Sequence, residues 1–369
     1  MKGKFEEENN LGDGVSWWRG KLLGEGGFAS VYLAKLKKNY CRNKVYPPLM
    51  AVKSAEFSES NSLQNEKEVF NNLCTCPYIL KCYGEETTFD KNGYLSYNVL
   101  LEYASGGTLA ALIKQSGGCG LPESDVKRYT RCILQGIDYI HRHSYVHCDL
   151  KPENVLLVAI ENDGFVPKIA DFGLAKKVLK NNKRRKMTDS FIGGTVLYMA
   201  PETLIDHIQE SPCDIWALGC IVFEMLTGKR VWDSKPEAAT EELIKRIGDR
   251  FELPVIPSEI SQDGKDFLKR CLVKKPAFRF TSEMLLDHPF MSGLDDSKSS
   301  DFKDISDEGC VSNADNEFDD SSYSEDWSTS KDSSLEESDD RSHCSSLETI
   351  GLGDQGCSTL ARISWKLLA

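Results

Sequence analysis

The chain has 369 residues, 40% hydrophobic and 28% charged, with 45 Lys plus Arg against 57 Asp plus Glu and a net charge of −12. That length holds roughly one large or two modest domains, and the apolar share suits a protein with a real core. The most continuous apolar stretch, residues 215–226, contains Glu224 and falls short of the ~18 residues that suggest a membrane span. It reads as a buried helix, and neither a membrane nor a nucleic-acid partner is expected.

Residues 1–10 are charged and lack an apolar stretch, so no secretory signal is expected, and Lys2-Gly3 does not fit myristoylation at residue two. The predicted location is the cytoplasm, the nucleus or both. Thirteen cysteines are scattered along the chain; in a reducing compartment most of them are expected to serve as small buried hydrophobes. Cys74-Thr75-Cys76 has the wrong spacing for a zinc knuckle.

Residues 21–33 read as two short strands joined by the turn Gly24-Glu25-Gly26-Gly27-Phe28-Ala29-Ser30-Val31. Glycines there let backbone N–H groups approach phosphate oxygens closely. Lys53 follows the apolar run Leu49-Met50-Ala51-Val52, which places it on a buried strand, where a lysine needs an anionic partner. A further apolar strand, Tyr97-Asn98-Val99-Leu100-Leu101-Glu102-Tyr103-Ala104, runs into Ser105-Gly106-Gly107. Residues 129–141 carry Ile133, Leu134, Ile137 and Ile140 at helical spacing.

Next come His147-Cys148-Asp149-Leu150-Lys151-Pro152-Glu153-Asn154 and Asp171-Phe172-Gly173. An Asp to accept a hydroxyl proton, an Asn five positions on and a second Asp are what phosphoryl transfer needs to hold a nucleophile and Mg²⁺ around ATP phosphates. Ala200-Pro201-Glu202, the run from Asp214 to Gly219 and Arg279 follow. Between Asp295 and Glu348 eighteen acidic residues face four basic ones, which leaves the remainder of the chain close to neutral. Rich in Ser and Asp and without periodicity, this tail cannot bury enough surface to offset chain entropy and is predicted to be disordered.

The order of these motifs, from about Trp17 to Phe290, resembles a eukaryotic protein kinase. The resemblance implies an α+β bilobal fold, a small β-rich N-lobe over residues 17–103 and a larger helical C-lobe over 104–290. Residues 1–16 are then an extension and 291–369 the acidic tail. It also implies that Leu23, Gly24, Glu25, Gly26, Gly27, Phe28, Ala29, Ser30 and Val31 cover the ATP phosphates, with Phe28 at the loop tip. Leu101 takes the gatekeeper position, and the backbone near Glu102 and Ala104 binds adenine. Lys53 pairs with a helix glutamate, Glu66 by the spacing of the apolar residues after it, with Glu68 open as the alternative.

By the same resemblance Asp149 is the base and orienter of the substrate hydroxyl, and Lys151 stabilises charge on the transferred group and marks the serine/threonine class. Asn154 and Asp171 hold Mg²⁺, His147 is structural, Thr195 positions the substrate, and Glu202 with Arg279 forms a buried ion pair. Cys148 departs from the family, which has Arg before the catalytic Asp to bind an activation-loop phosphate. Activity should therefore depend weakly on phosphorylation of residues such as Thr188 or Ser190. Lys180, Lys183, Arg184, Arg185 and Lys186 read either as a solvated basic run or as a docking or nuclear-import element.

Trp17-Trp18-Arg19-Gly20-Lys21-Leu22-Leu23, His147-Cys148-Asp149 and residues 194–202 resemble plant MEKK-type mitogen-activated protein kinase kinase kinases. That implies a MAP kinase kinase as protein substrate within stress signalling. A serine/threonine kinase with unrelated substrates and a pseudokinase scaffold are the alternatives. The tail reads as a solvated acidic run or as a regulatory docking segment. Leu360, Ile363, Trp365, Leu367 and Leu368 read as a docking peptide or a frayed terminus.

Overall fold

Strand periodicity decides which way each N-terminal side chain points. The computed structural model describes residues 12–26, 29–38, 46–89, 93–160, 164–178, 193–232 and 240–293. Gly27, Phe28, the basic residues 180–186, Thr188, Ser190 and the whole acidic tail with its apolar end lie outside the described residues. Strands β1 (Trp17–Glu25), β2 (Ser30–Leu36), β3 (Leu49–Glu56), β4 (Cys82–Phe89) and β5 (Leu95–Glu102) form an antiparallel sheet in the order β1-β2-β3-β5-β4. The two strands predicted over 21–33 are thus longer, reaching Trp17 and Leu36.

Successive residues of a strand face opposite sides. Met50 and Val52 accordingly join Trp17, Ala34 and Leu100 in a small outer core. Ala51 and Ala55 join Val31, Val99 and Leu101 in the main core. Lys53 is in phase with Ala51 and Ala55, so it points to the inner face, where it is 2% exposed.

Helix α1 (Asn61–Asn72) covers that inner face. It buries Leu63, Glu66, Lys67 and Phe70, the i, i+3, i+4, i+7 stripe of an amphipathic helix. Glu68 lies about 200° around the helix from Glu66 and is exposed.

Past β5 the chain turns helical: α2 (Leu109–Gln115), α3 (Glu123–Arg142), α4 (Pro201–Ile205), α5 (Ser211–Thr227), α6 (Thr240–Gly248), α7 (Gln262–Cys271) and α8 (Ser282–Leu286). Two short antiparallel pairs lie among them, β6 (Tyr145–Val146) with β9 (Lys176–Lys177) and β7 (Val155–Ala159) with β8 (Phe165–Ile169). Apolar spacing places the start of α3 six residues late. Its first turn follows Pro122 and carries Glu123 and Asp125, acidic residues that suit a helix N-terminus but add nothing to an apolar stripe.

Helix α5 is buried on almost every side from Cys213 to Met225. In its last turn Glu224 accepts a hydrogen bond from the Tyr198 hydroxyl at 2.6 Å, and burial raises its carboxyl above the ordinary value. The helix ends at Gly228, whose φ of 68° makes the left-handed cap that a side chain disfavours. Among the described residues no helix is long and apolar enough to cross a membrane.

Candidate active site

The register of β3 and the stripe of α1 bring two buried opposite charges together. Lys53 Nζ lies 2.6 Å from Glu66 Oε2 and 2.9 Å from Asp171 Oδ1, all three side chains being almost wholly buried. Burial penalises the ammonium, yet Asp171 and Glu66 outweigh it and raise its value above the ordinary one. Burial likewise raises Glu66, with Asp171 adding to it against the pull of Lys53. For Asp171 burial is outweighed by Lys53, aided by Lys151 and His147, and its carboxyl is held below the usual range. Of the two candidate glutamates, Glu66 is the one that faces Lys53.

Asp171 has a φ of 65° and Cys148 one of 67°, left-handed values unusual for residues other than glycine. Such conformations persist only where the surroundings hold them. For Cys148 the holder is Asp214, in the first turn of α5. Its Oδ2 accepts from the His147 amide at 2.9 Å and its Oδ1 from the Cys148 amide at 3.1 Å. His141 Nε2 is 2.9 Å from the same carboxylate, and it offsets the burial penalty so that Asp214 stays below its ordinary value.

Next to Asp171, the Phe172 ring packs between two others. Its centroid is 5.1 Å from that of Phe70 on α1 and 5.0 Å from that of His147. His147 Nε2 lies 3.1 Å from the Ala170 carbonyl. The small lobe's helix, the Asp171 turn and the loop carrying Asp149 are therefore joined by packed rings.

Around Asp149, Lys151 Nζ donates to Oδ2 at 2.6 Å and the Thr195 hydroxyl donates to Oδ1 at 3.0 Å. Lys151 Nζ also donates to Thr195 Oγ1 at 3.1 Å. Asn154 Nδ2 donates to the Asp149 carbonyl at 2.8 Å and to Oδ2 at 3.2 Å. The close approach of the two segments depends on Gly194, at φ +130°, where a Cβ would lie 2.9 Å from the Cys148 carbonyl oxygen.

The nucleotide side is assembled around the same lysine. Gly24 pairs with Val31 and Glu25 with Ser30 across the glycine-rich turn, which Gly26 closes by donating its amide to the Ala29 carbonyl at 2.9 Å. Val31 in turn pairs with Lys53. Leu23 and Ala104 are partly buried against the main core, and Leu101 is buried opposite Ala51. The Glu102 carboxylate receives Lys168 Nζ at 2.8 and 2.9 Å and the Lys81 amide at 3.1 Å, a tie from β5 to β8 beyond the backbone role expected of it.

Residues 17–291 match the family described as the protein kinase domain. The chain belongs to the protein kinase family. It is 47% identical over 279 residues to mitogen-activated protein kinase kinase kinase 20 of Arabidopsis thaliana, covering 75% of this chain and 79% of that one. It is 37% identical over 281 residues to kinase kinase kinase 17 and 38% over 282 to kinase kinase kinase 18 of the same plant, covering 75% of this chain each time and 70% and 78% of the relatives. The chain is thus an ATP-dependent serine/threonine protein kinase of the plant MEKK type.

Kinases of this family use ATP with Mg²⁺. The residues present fit the ion: Asn154 Oδ1 is buried with no hydrogen-bond partner, and the Asp171 carboxylate supplies the hard anionic oxygen that Mg²⁺ takes. In the large lobe of the kinase, Glu202 and Arg279 form the expected buried pair, with Nη1 to Oε1 at 2.6 Å and Nη2 to Oε2 at 3.1 Å. Motif order alone assigns no role to Asp214, though the sequence carries a signal for one. A carboxylate opening an otherwise apolar helix is a buried charge that needs partners.

Proposed function

We propose that this kinase phosphorylates serine or threonine in the activation loop of a downstream MAP kinase kinase, within stress signalling. The observation that carries the catalytic part is the bonding of Lys53 to Glu66 and Asp171 and of Asp149 to Lys151 and Asn154, the two groups tied by the Ala170 amide on the Asn154 carbonyl, with an unsatisfied buried acceptor on Asn154. The acceptor class rests on the relatives, whose name describes kinases that act on a MAP kinase kinase.

In this reading Asp149 orients the acceptor hydroxyl and takes its proton as the oxygen attacks the γ-phosphorus in line and ADP leaves. With Lys151 and Asn154 on Oδ2 and Thr195 on Oδ1, its carboxylate keeps one lone pair, on Oδ1, for that proton. Lys151 stabilises charge on the transferred group, Lys53 holds the ATP phosphates and Glu66 holds Lys53. Asn154 and Asp171 would hold Mg²⁺, which when bound would supply charge neutralisation at the phosphates. The turn from Leu23 to Val31 covers the phosphates, while Leu101, Glu102 and Ala104 border adenine.

The kinase domain then spans 17–290, the acidic tail docks partners or regulates the groove, and the protein works in the cytoplasm, the nucleus or both. The deciding experiment is transfer from Mg-ATP to a panel of kinase-dead MAP kinase kinases, with Asp149→Asn as control. Asp149-dependent labelling of one acceptor's activation loop is the expected result. Labelling of generic acceptors alone would discard the cascade assignment.

A further inference from the structure

Gln209 lies in the loop between α4 and α5, and its side chain bridges two parts of the activation segment. Lys176 Nζ, in β9, donates to its Oε1. Its Nε2 donates to the Gly193 carbonyl at 3.1 Å. Those two partners bracket residues 179–192, and each leads directly to the catalytic loop. Lys176 pairs with Val146, two residues before Cys148. Gly193 precedes Gly194 and Thr195, the hydroxyl that donates to Asp149.

The loop is shaped to present this amide. Thr203 Oγ1 donates to the Ile208 carbonyl at 2.9 Å and the Ile208 amide to the Glu202 carbonyl at 3.2 Å. Between them His207 takes a φ of 58°. A left-handed histidine is a local strain that the surroundings must hold in place.

Cys148 makes the bridge consequential. A cation before the catalytic Asp can tie the activation segment to the catalytic loop through a phosphate, by charge-assisted hydrogen bonds. A thiol cannot. Cys148 is instead buried, its Sγ directed at the Val146 carbonyl 3.5 Å away, and it lines a cleft together with Gln209, Thr195 and Asp149. We propose that Gln209 is a positioning residue that does by a neutral amide bridge what a phosphate does elsewhere. It holds the activation segment so that Thr195 and Asp149 are set for the acceptor hydroxyl without phosphorylation of the segment. The proposal rests on the family's phosphoryl transfer and not on the identity of the acceptor.

The test uses the full chain after phosphatase treatment, with myelin basic protein as a generic acceptor. The wild type should keep its kcat after treatment. Gln209→Ala should lower kcat about tenfold, the scale of one lost hydrogen bond, with the KM for ATP within about twofold. Gln209→Glu keeps an acceptor for Lys176 but loses the donor to Gly193, and should fall as far. The exchange of Lys176→Glu with Gln209→Arg restores a donor to Gly193 and an opposite charge across the bridge, and should recover kcat to within about threefold of wild type.

A phosphatase-sensitive wild type, an unaffected Gln209→Ala, or an exchanged pair no better than its single variants would each overturn the proposal. So would an equal rise in the KM for ATP and fall in melting temperature across all the variants, since that marks a purely structural role. Failure to label any MAP kinase kinase would leave these ratios unchanged, so the two readings fail separately.

Discussion

Lys53 stands between two carboxylates that would repel each other without it, and Asp214 satisfies two backbone amides that would otherwise be buried and unpaired. Lys53→Met should lower unfolding stability near neutral pH by about 3–5 kcal/mol, because it strands buried charge. Adding Glu66→Gln should return part of the loss, which urea unfolding would measure. Asp214→Asn should cost about 2–4 kcal/mol at pH 7 by losing two charged acceptors. Because the folded protein holds Asp214 below its ordinary value, its contribution is full above about pH 4, the range of an unfolded Asp, and is lost as pH falls through the lower folded value. The gap between wild type and Asp214→Asn should therefore close in acid. A gap that stays constant from pH 7 to pH 3 would contradict that assignment.

At the scale of elements, α1 puts one glutamate inside and its neighbour by two outside through helical periodicity alone. Glu66→Ala should reduce kcat/KM by about a hundredfold or more, in the range of losing a charged contact in a dry site. Glu68→Ala should leave it within about twofold, as exposed substitutions do. Gly194 is the element-level counterpart in the activation segment. A β-branched residue is poorly accommodated at φ +130°, and a Cβ there meets the Cys148 carbonyl. Gly194→Val should abolish transfer to a protein acceptor while calorimetric ATP binding persists, since the nucleotide side does not depend on that approach.

At the scale of the whole molecule, the contacts that join the described residues of the two lobes include Lys53 with Asp171, the Phe70, Phe172 and His147 rings, and Glu102 with Lys168. The first two pass through the Asp171 turn, so ordering of the phosphate site is coupled to the position of α1. Charge along the chain suggests a further level, since the acidic run between Asp295 and Glu348 and the basic residues from Lys180 to Lys186 are opposite in sign. If the tail covers the groove through that attraction, tail deletion should raise activity at low salt and change it little at about 0.5 M, where screening acts within a few ångströms. Equal activity of both forms at every salt concentration would remove the tail from regulation.

Chemistry carried by neighbouring residues is legible in the sequence by itself. Asp149, Lys151 and Asn154 lie within one short loop, the glycine turn is local, and Lys53 inherits its inward face from strand parity with Ala51 and Ala55. The choice of Glu66 over Glu68 is not, because either can be drawn on a helix until its stripe is seated on the sheet. Nor are the Asp214 anchor and the Gln209 bridge, whose partners lie 66 and 67 residues away for Asp214 and 33 and 16 residues away for Gln209. Periodicity and local spacing report what one segment can present. Only packing of distant segments decides which buried charge meets which, and here that packing supplies the anchor and the bridge.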